Sequence, residues 1–234
     1  MRSIVPIAAA AACVLAVAGC GASGAPTLAV SSGSSTATRS TVSGSATAAA
    51  SASTTPRGPE YKLLSKSTLS GALLTLDDMP NGYADTTTQG DQVDDAGTFC
   101  HYKRPYPNKA FVTRVFTKGG GFDAELISPT IRQYAGPAQA KASMAKLLAT
   151  LKTCKKFTSE GESLKVARVK ADPVGEKSIA VRLEGSNFTI IQGYSLVGPS
   201  MVTVGTGGST SVDSDVVGPL LRKQVQRCTR TAQK

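Results

Sequence analysis

Hydrophobic positions along this 234-residue chain follow three regimes. Residues 4–18 are apolar apart from Pro6 and close on Gly19-Cys20. Residues 21–59 carry almost no large apolar side chain. From residue 60 onward, helical and alternating periods succeed one another, and a fold can be read from them.

Ser67 can cap a short helix that places Leu69, Leu73 and Leu76 on one face, and Asp77-Asp78-Met79-Pro80-Asn81-Gly82 stops it with turn residues. Residues 111–118 alternate as a strand, Gly119-Gly120-Gly121 turns the chain, and residues 122–128 return as the antiparallel partner. Over residues 138–155 the pattern is helical, with Ala140, Met144, Leu147, Leu151 and Cys154 on one face. Residues 164–170, 178–184, 188–197 and 201–205 then read as strands, with turns at Gly185-Ser186-Asn187 and Gly198-Pro199-Ser200. A last helix, starting near Asp213 or Ser214 with Pro219 in its first turns, aligns Val217, Leu221, Val225 and Cys228. Grouped strands with helices packed on them predict an α+β domain: an antiparallel sheet of about six strands with flanking helices, a single domain over residues 60–234.

Met1-Arg2-Ser3 ahead of the apolar run gives residues 1–19 the form of a secretory signal, too short and wrongly flanked for a membrane span. Val17-Ala18-Gly19-Cys20 resembles the bacterial lipobox, in which the cysteine thiol takes diacylglycerol. Cys20 is therefore the expected lipidation site and the membrane the expected partner, with the protein on the extracytoplasmic face of the cell membrane. Residues 20–59 are rich in Ser, Thr, Ala and Gly, with Arg39 and Arg57 as the only charges, and cannot bury enough apolar surface to offset their ordering entropy. Such a coil has a root-mean-square reach of about 35 Å and stretches to about 130 Å, and it reads as a disordered stalk.

Charge narrows the partners. The chain carries 26 Lys+Arg against 16 Asp+Glu. Only Arg2, Arg39 and Arg57 of these precede residue 60, which leaves the domain at +7. Asp residues gather early and Lys and Arg late. Outside the cell this favours acidic partners, with an anionic wall polymer, a lipid or a small-molecule ligand as the expected classes, and no helix-turn-helix, zinc-finger or RNA-binding pattern points to nucleic acid.

Catalytic chemistry is hard to assemble from these residues. There is one histidine, His101, no tryptophan, no metal-ligand spacing and no Gly-x-Ser-x-Gly elbow, so neither a metal, a cofactor nor an enzyme is expected. Gly205-Thr206-Gly207-Gly208-Ser209 lacks the lysine of a phosphate loop and reads as a strand-to-helix connection. The most suggestive patch is Cys100-His101-Tyr102-Lys103-Arg104-Pro105-Tyr106, where Tyr102, Lys103, Arg104 and Tyr106 suit an anionic or sugar-like ligand around a proline-stiffened turn. The same residues also suit an ordinary surface loop beside the sheet. With Cys13 in the signal and Cys20 acylated, Cys100, Cys154 and Cys228 remain, an odd count that leaves one thiol over.

Residues 72–83 (Ala72-Leu73-Leu74-Thr75-Leu76-Asp77-Asp78-Met79-Pro80-Asn81-Gly82-Tyr83), the Ala-rich helix ending at Cys154, Val174-Gly175-Glu176-Lys177-Ser178 before a strand, and the amphipathic last helix occur in an order that resembles the actinobacterial lipoproteins and kinase ectodomains of the PknH-like extracellular sensor family. The resemblance implies an antiparallel sheet flanked by helices, with a cleft for a ligand. It also implies a Cys100–Cys154 disulfide, and the partner that the family's second disulfide would give Cys228 is missing. Pairing of Cys154 with Cys228, leaving Cys100 free, is the alternative. The function so implied is a cell-surface lipoprotein with a non-enzymatic sensor or ligand-binding domain that signals through a separate membrane protein. An envelope protein–protein interaction module and a lipid or metabolite carrier are the alternatives.

Overall fold

Period-two alternation becomes a long antiparallel sheet. The computed structural model describes residues 60–89, 91, 99–159, 161–209 and 212–233. The predicted signal, Cys20 and the stalk lie outside these residues. Strands are β1 (Ala84–Asp85), β2 (Ala110–Thr113), β3 (Phe116–Lys118), β4 (Glu125–Gln133), β5 (Lys156–Ser159), β6 (Glu162–Val169), β7 (Ser178–Glu184), β8 (Thr189–Val197) and β9 (Ser200–Gly208). Helices are α1 (Lys66–Ala72), α2 (Pro137–Thr153) and α3 (Val217–Ala232). The strand order is β1-β3-β4-β9-β8-β7-β6-β5, with β2 also pairing β4.

The α+β class holds, but among the described residues the sheet has nine strands where about six were expected. Three physical causes account for the difference. The predicted strand over residues 111–118 divides into β2 and β3, which keep one register on β4 because Thr113 faces Thr130 and Phe116 faces Ile127. Between them Arg114 donates to the carbonyl of Pro129 at 3.1 Å, and the ring of Pro129 has no N–H to return. Second, the Asp- and Thr-rich segment after α1 pairs β1 with β3 through two residues. Third, α2 stops at Thr153, so Lys156 and its neighbours are free to form β5.

Local chemistry moves other boundaries slightly. The cap of α1 is Ser65, whose Oγ accepts from the Thr68 N–H at 3.2 Å, in place of Ser67. Because α1 ends at Ala72, Leu69 and Leu73 are buried while Leu76 opens a 3₁₀ turn and stays 44% exposed. The glycine-rich residues after Met201 continue β9 to Gly208, so they are strand and not connection.

Two cores sandwich the sheet. On one face Ile127, Ile131, Val202 and Val204 pack under α1 and α3. The approach of α3 is close enough that a Cβ on Gly193 of β8 would stand 3.0 Å from Val217 and from Leu221. On the other face Val166, Ile179, Val181, Leu196 and Met201 pack under Met144, Leu147 and Leu151 of α2. Burying each such side chain contributes about 1.5–3 kcal/mol.

Buried amides and one carboxylate fasten the N-terminal segment. Gln133 Oε1 accepts from Leu64 N–H and its Nε2 donates to Leu64 O, each at 2.8 Å, so the side chain imitates one step of a β-ladder. Gln224, fully buried on α3, does the same for Leu74 N–H and Ala72 O. Nearby, the Asp78 carboxylate is 3% exposed and meets Lys223 Nζ at 2.6 Å and Arg227 Nη2 at 2.7 Å. Burial pushes that carboxyl up, but the Lys223 hydrogen bond, the Thr75 N–H and the Arg227 charge outweigh it and hold it below its ordinary value. The stability this contributes is complete above the ordinary carboxylate pKa and is lost as pH falls through the depressed folded value. Asp78→Asn should cost about 2 kcal/mol at neutral pH, and urea denaturation curves should show the gap to wild type closing as the medium is acidified through that range.

Candidate functional site

The helix α2 is shorter than the face it covers. Beside it, toward β4 and the hairpin between β7 and β8, the sheet is open over a cleft of about 510 Å³. This is the volume of a pocket for one small ligand. The floor is polar, made by Ser128, Thr130 and Arg132 of β4, Thr203 of β9, and Gln192 and Tyr194 of β8. The rest of the lining is largely apolar: Leu164, Leu183 and Ile190 continue the same sheet face, with Leu147, Phe157 and Phe188 beside them.

Register explains why these side chains meet. Thr130 lies opposite Thr203, and Thr203 opposite Tyr194, so their side chains share one row across three strands. Two residues along, Gly205 lies between Ser128 and Gln192, and two further, Gly207 lies between Leu126 and Ile190. Absence of side chains at these two β9 positions leaves a trough between the flanking strands. A Cβ on Gly205 would stand 3.1 Å from Ser128 Oγ.

Hydrogen bonding in the floor is uneven. Thr130 Oγ1 pairs with Thr113 Oγ1 at 2.9 Å, and the Tyr194 hydroxyl donates to Gln192 Oε1. Thr203 Oγ1 is buried and lacks a hydrogen-bond partner among the described residues. Burial pushes the Tyr194 phenol well above its ordinary value, against the opposing pull of the Arg132 charge. It pushes the Tyr102 phenol up to about 12, with Tyr134 adding to the shift, so both remain neutral hydroxyls.

The loop before β2 supplies the roof, and the structure divides the predicted patch. Tyr102 is buried, donates its hydroxyl to Ser143 O at 3.2 Å and lines the cleft together with Arg104. Lys103 is exposed, Tyr106 is 39% exposed, and neither lines the cleft. Cys100 and His101 both sit in the left-handed region, at φ 58° and 56°, which turns Cys100 and Tyr102 inward and His101 to solvent. The disulfide joins Cys100 to Cys154 at the end of α2, with Cα atoms 5.8 Å apart, and the alternative with Cys228 does not form. Cys228 is a buried free thiol whose pKa burial raises to about 12 against a Ser200 hydrogen bond, so it is not poised to react.

The floor residues Ser128, Thr130, Gln192 and Thr203 were not anticipated. Their signal was present as polar residues at every second position of apolar strands, but the strands had first to be paired before these positions became one surface. A second cavity of about 570 Å³ lies on the opposite face, beside the start of α3 and the loop before β7. Among the described residues, no group of His, Cys, Asp and Glu could hold a metal ion.

No family model matches the chain, and no curated protein does. Among solved structures, the extracellular domain of PknH from Mycobacterium tuberculosis superposes with a TM-score of 0.53 at 12% identity, over 73% of this chain and 100% of that one. An X-ray structure of an Rv0999 ortholog from Mycobacterium smegmatis gives a TM-score of 0.35 at 12% identity, over 64% of this chain and 78% of that one. The chain thus shares the PknH extracellular-domain fold.

Closing a loop of 54 residues contributes about 4 kcal/mol in the chain-entropy account. A Cys100→Ser, Cys154→Ser double variant should lose stability of that order in denaturant titrations. Its amide exchange should quicken first over residues 99–106, ahead of β4 and β9.

Proposed function

We propose that this chain is a non-catalytic lipoprotein, held on the extracytoplasmic face of the membrane by acylated Cys20, whose domain binds a small ligand in the cleft beneath Tyr102 and Arg104 and acts as a sensor through a separate membrane partner. The observation that carries this reading is the half-covered sheet face. Had α2 spanned the whole face, no room would remain beside Ser128, Gln192 and Ile190. Instead a sheet face that is polar in one part and apolar in another, with a disulfide-held loop beside it, borders an open volume suited to one ligand. The fold shared with a kinase extracellular domain supports a receptor role. Among the described residues no helix is long and apolar enough to cross a membrane. The lipobox-like Val17-Ala18-Gly19-Cys20 supports a lipid at Cys20 as the attachment.

Attachment and binding are tested separately. In an actinobacterial host fed an alkyne-tagged fatty acid, the wild-type chain should carry the tag and sediment with membranes. Cys20→Ser should lose the tag and leave the membrane fraction. Retention of both by Cys20→Ser would remove the anchor from this reading.

A further inference from the structure

Chemistry in the cleft is polarised along the strands. At one end, where β4 finishes and β9 begins, Arg132 lies one row beyond the Thr130–Thr203–Tyr194 row. The Arg132 guanidinium carbon lies over the Phe111 ring, 4.9 Å from its centre, a cation–π contact that helps to hold it there. Arg104 reaches the cleft from the roof. The unpartnered, buried Thr203 hydroxyl is in the adjacent row.

At the other end the side chains are Leu164, Leu183, Phe188 and Ile190. Ile190 lies on the row of Leu126, six residues from Arg132 along β4, which is about 20 Å at the rise of an extended strand. Glu162 is the acidic residue lining the cleft, and it sits at this far rim with its Oε1 taken by Ser186 N–H and Oγ, each at 2.6 Å. The Arg132 charge and the Thr203 hydroxyl therefore occupy one end, and Leu164, Leu183, Phe188 and Ile190, rimmed by the Glu162–Ser186 pair, the other. A polyanionic wall polymer fits this poorly, because its repeating charges would be laid against Leu183 and Ile190, where desolvation is unrecovered.

Resting on the reading that the cleft binds a small ligand, we propose that the ligand is a single-chain amphiphile with one acidic head, a carboxylate or a phosphate monoester. Its head lies at Arg132 and Thr203, and its apolar body lies along Leu164, Leu183 and Ile190. A volume of about 510 Å³ takes one such chain and not a two-chained lipid.

The test uses residues 20–234 with Cys20→Ser, which keep every described residue and carry no acyl chain to compete for the cleft. Dodecanoate and dodecyl phosphate, titrated calorimetrically below their micelle concentrations, separate the two head groups. At least one should bind saturably at one per chain. Dodecyltrimethylammonium, with the same tail and the opposite charge, should bind at least ten-fold more weakly. Arg132→Gln should weaken the acidic probe at least ten-fold and leave the cationic one unchanged. Arg104→Gln, on the roof and outside the sheet, should act in the same direction if Arg132→Gln fails to fold. Filling the trough with Ser128→Trp should abolish binding.

Equal affinity for both charges, or indifference to both arginine variants, overturns the proposal. So does failure of both acidic probes to bind. In that last event, native mass spectrometry of the exported protein separates the two levels. A small molecule that copurifies with wild type and not with Ser128→Trp leaves the cleft reading standing and removes only the amphiphile. Its absence from both removes the cleft reading as well.

Discussion

Among the described residues, nine paired strands present two broad faces, and α1, α2 and α3 leave part of the α2 face open as the cleft. The uncovered part of a face is then lined by a mixture of polar side chains, glycines and apolar side chains. On the α2 face the polar and glycine positions are Ser128, Thr130, Gln192 and Thr203, with glycine at 205 and 207. On the opposite face the packing is different, since α3 is drawn in over Gly193 until Val217 and Leu221 touch the backbone. A close helix on one side and a short helix on the other leave the cleft where it is.

The roof depends on this arrangement as much as the floor does. A loop with two successive left-handed residues, neither of them glycine, is a conformation that local sequence does not favour. It persists because Cys154 holds Cys100 at the end of α2 and because Tyr102 is buried against Ser143. The disulfide thereby converts the position of a helix terminus into the position of two cleft residues, Tyr102 and Arg104.

How legible this was depended on the range of the interaction. Amphipathic α2 and α3 were readable because helical spacing is local, and the predicted faces are the buried ones, from Met144 and Leu151 to Val225 and Cys228. The long strands β7, β8 and β9 were readable for the same reason, since turn residues flank alternating stretches. Short strands were not: two-residue β1 exists only because β3 is beside it, and the break between β2 and β3 is caused by Pro129 on another strand. The candidate site followed the same rule. Tyr102 and Arg104 lay in a conspicuous local patch, whereas Lys103 and Tyr106 shared its composition and face solvent. Thr203 carries no local mark, and its significance arises from a register that brings Thr130 and Tyr194 to either side of it.

The segment that leads into the domain is tied down at the end of the sheet remote from the apolar mouth of the cleft. Lys62 N–H bonds Ala232 O at the end of α3, the Gln133 side chain clasps Leu64 at the end of β4, and the Tyr61 ring lies against Gly198 in the hairpin that joins β8 to β9. A tension applied through the N-terminal chain is therefore carried first by these few bonds and by α3. The strands lining the mouth near Phe188 and Glu162 lie beyond that load path, whereas Arg132 is next to Gln133 on β4, so a pull on Leu64 reaches the arginine end of the cleft before its apolar end.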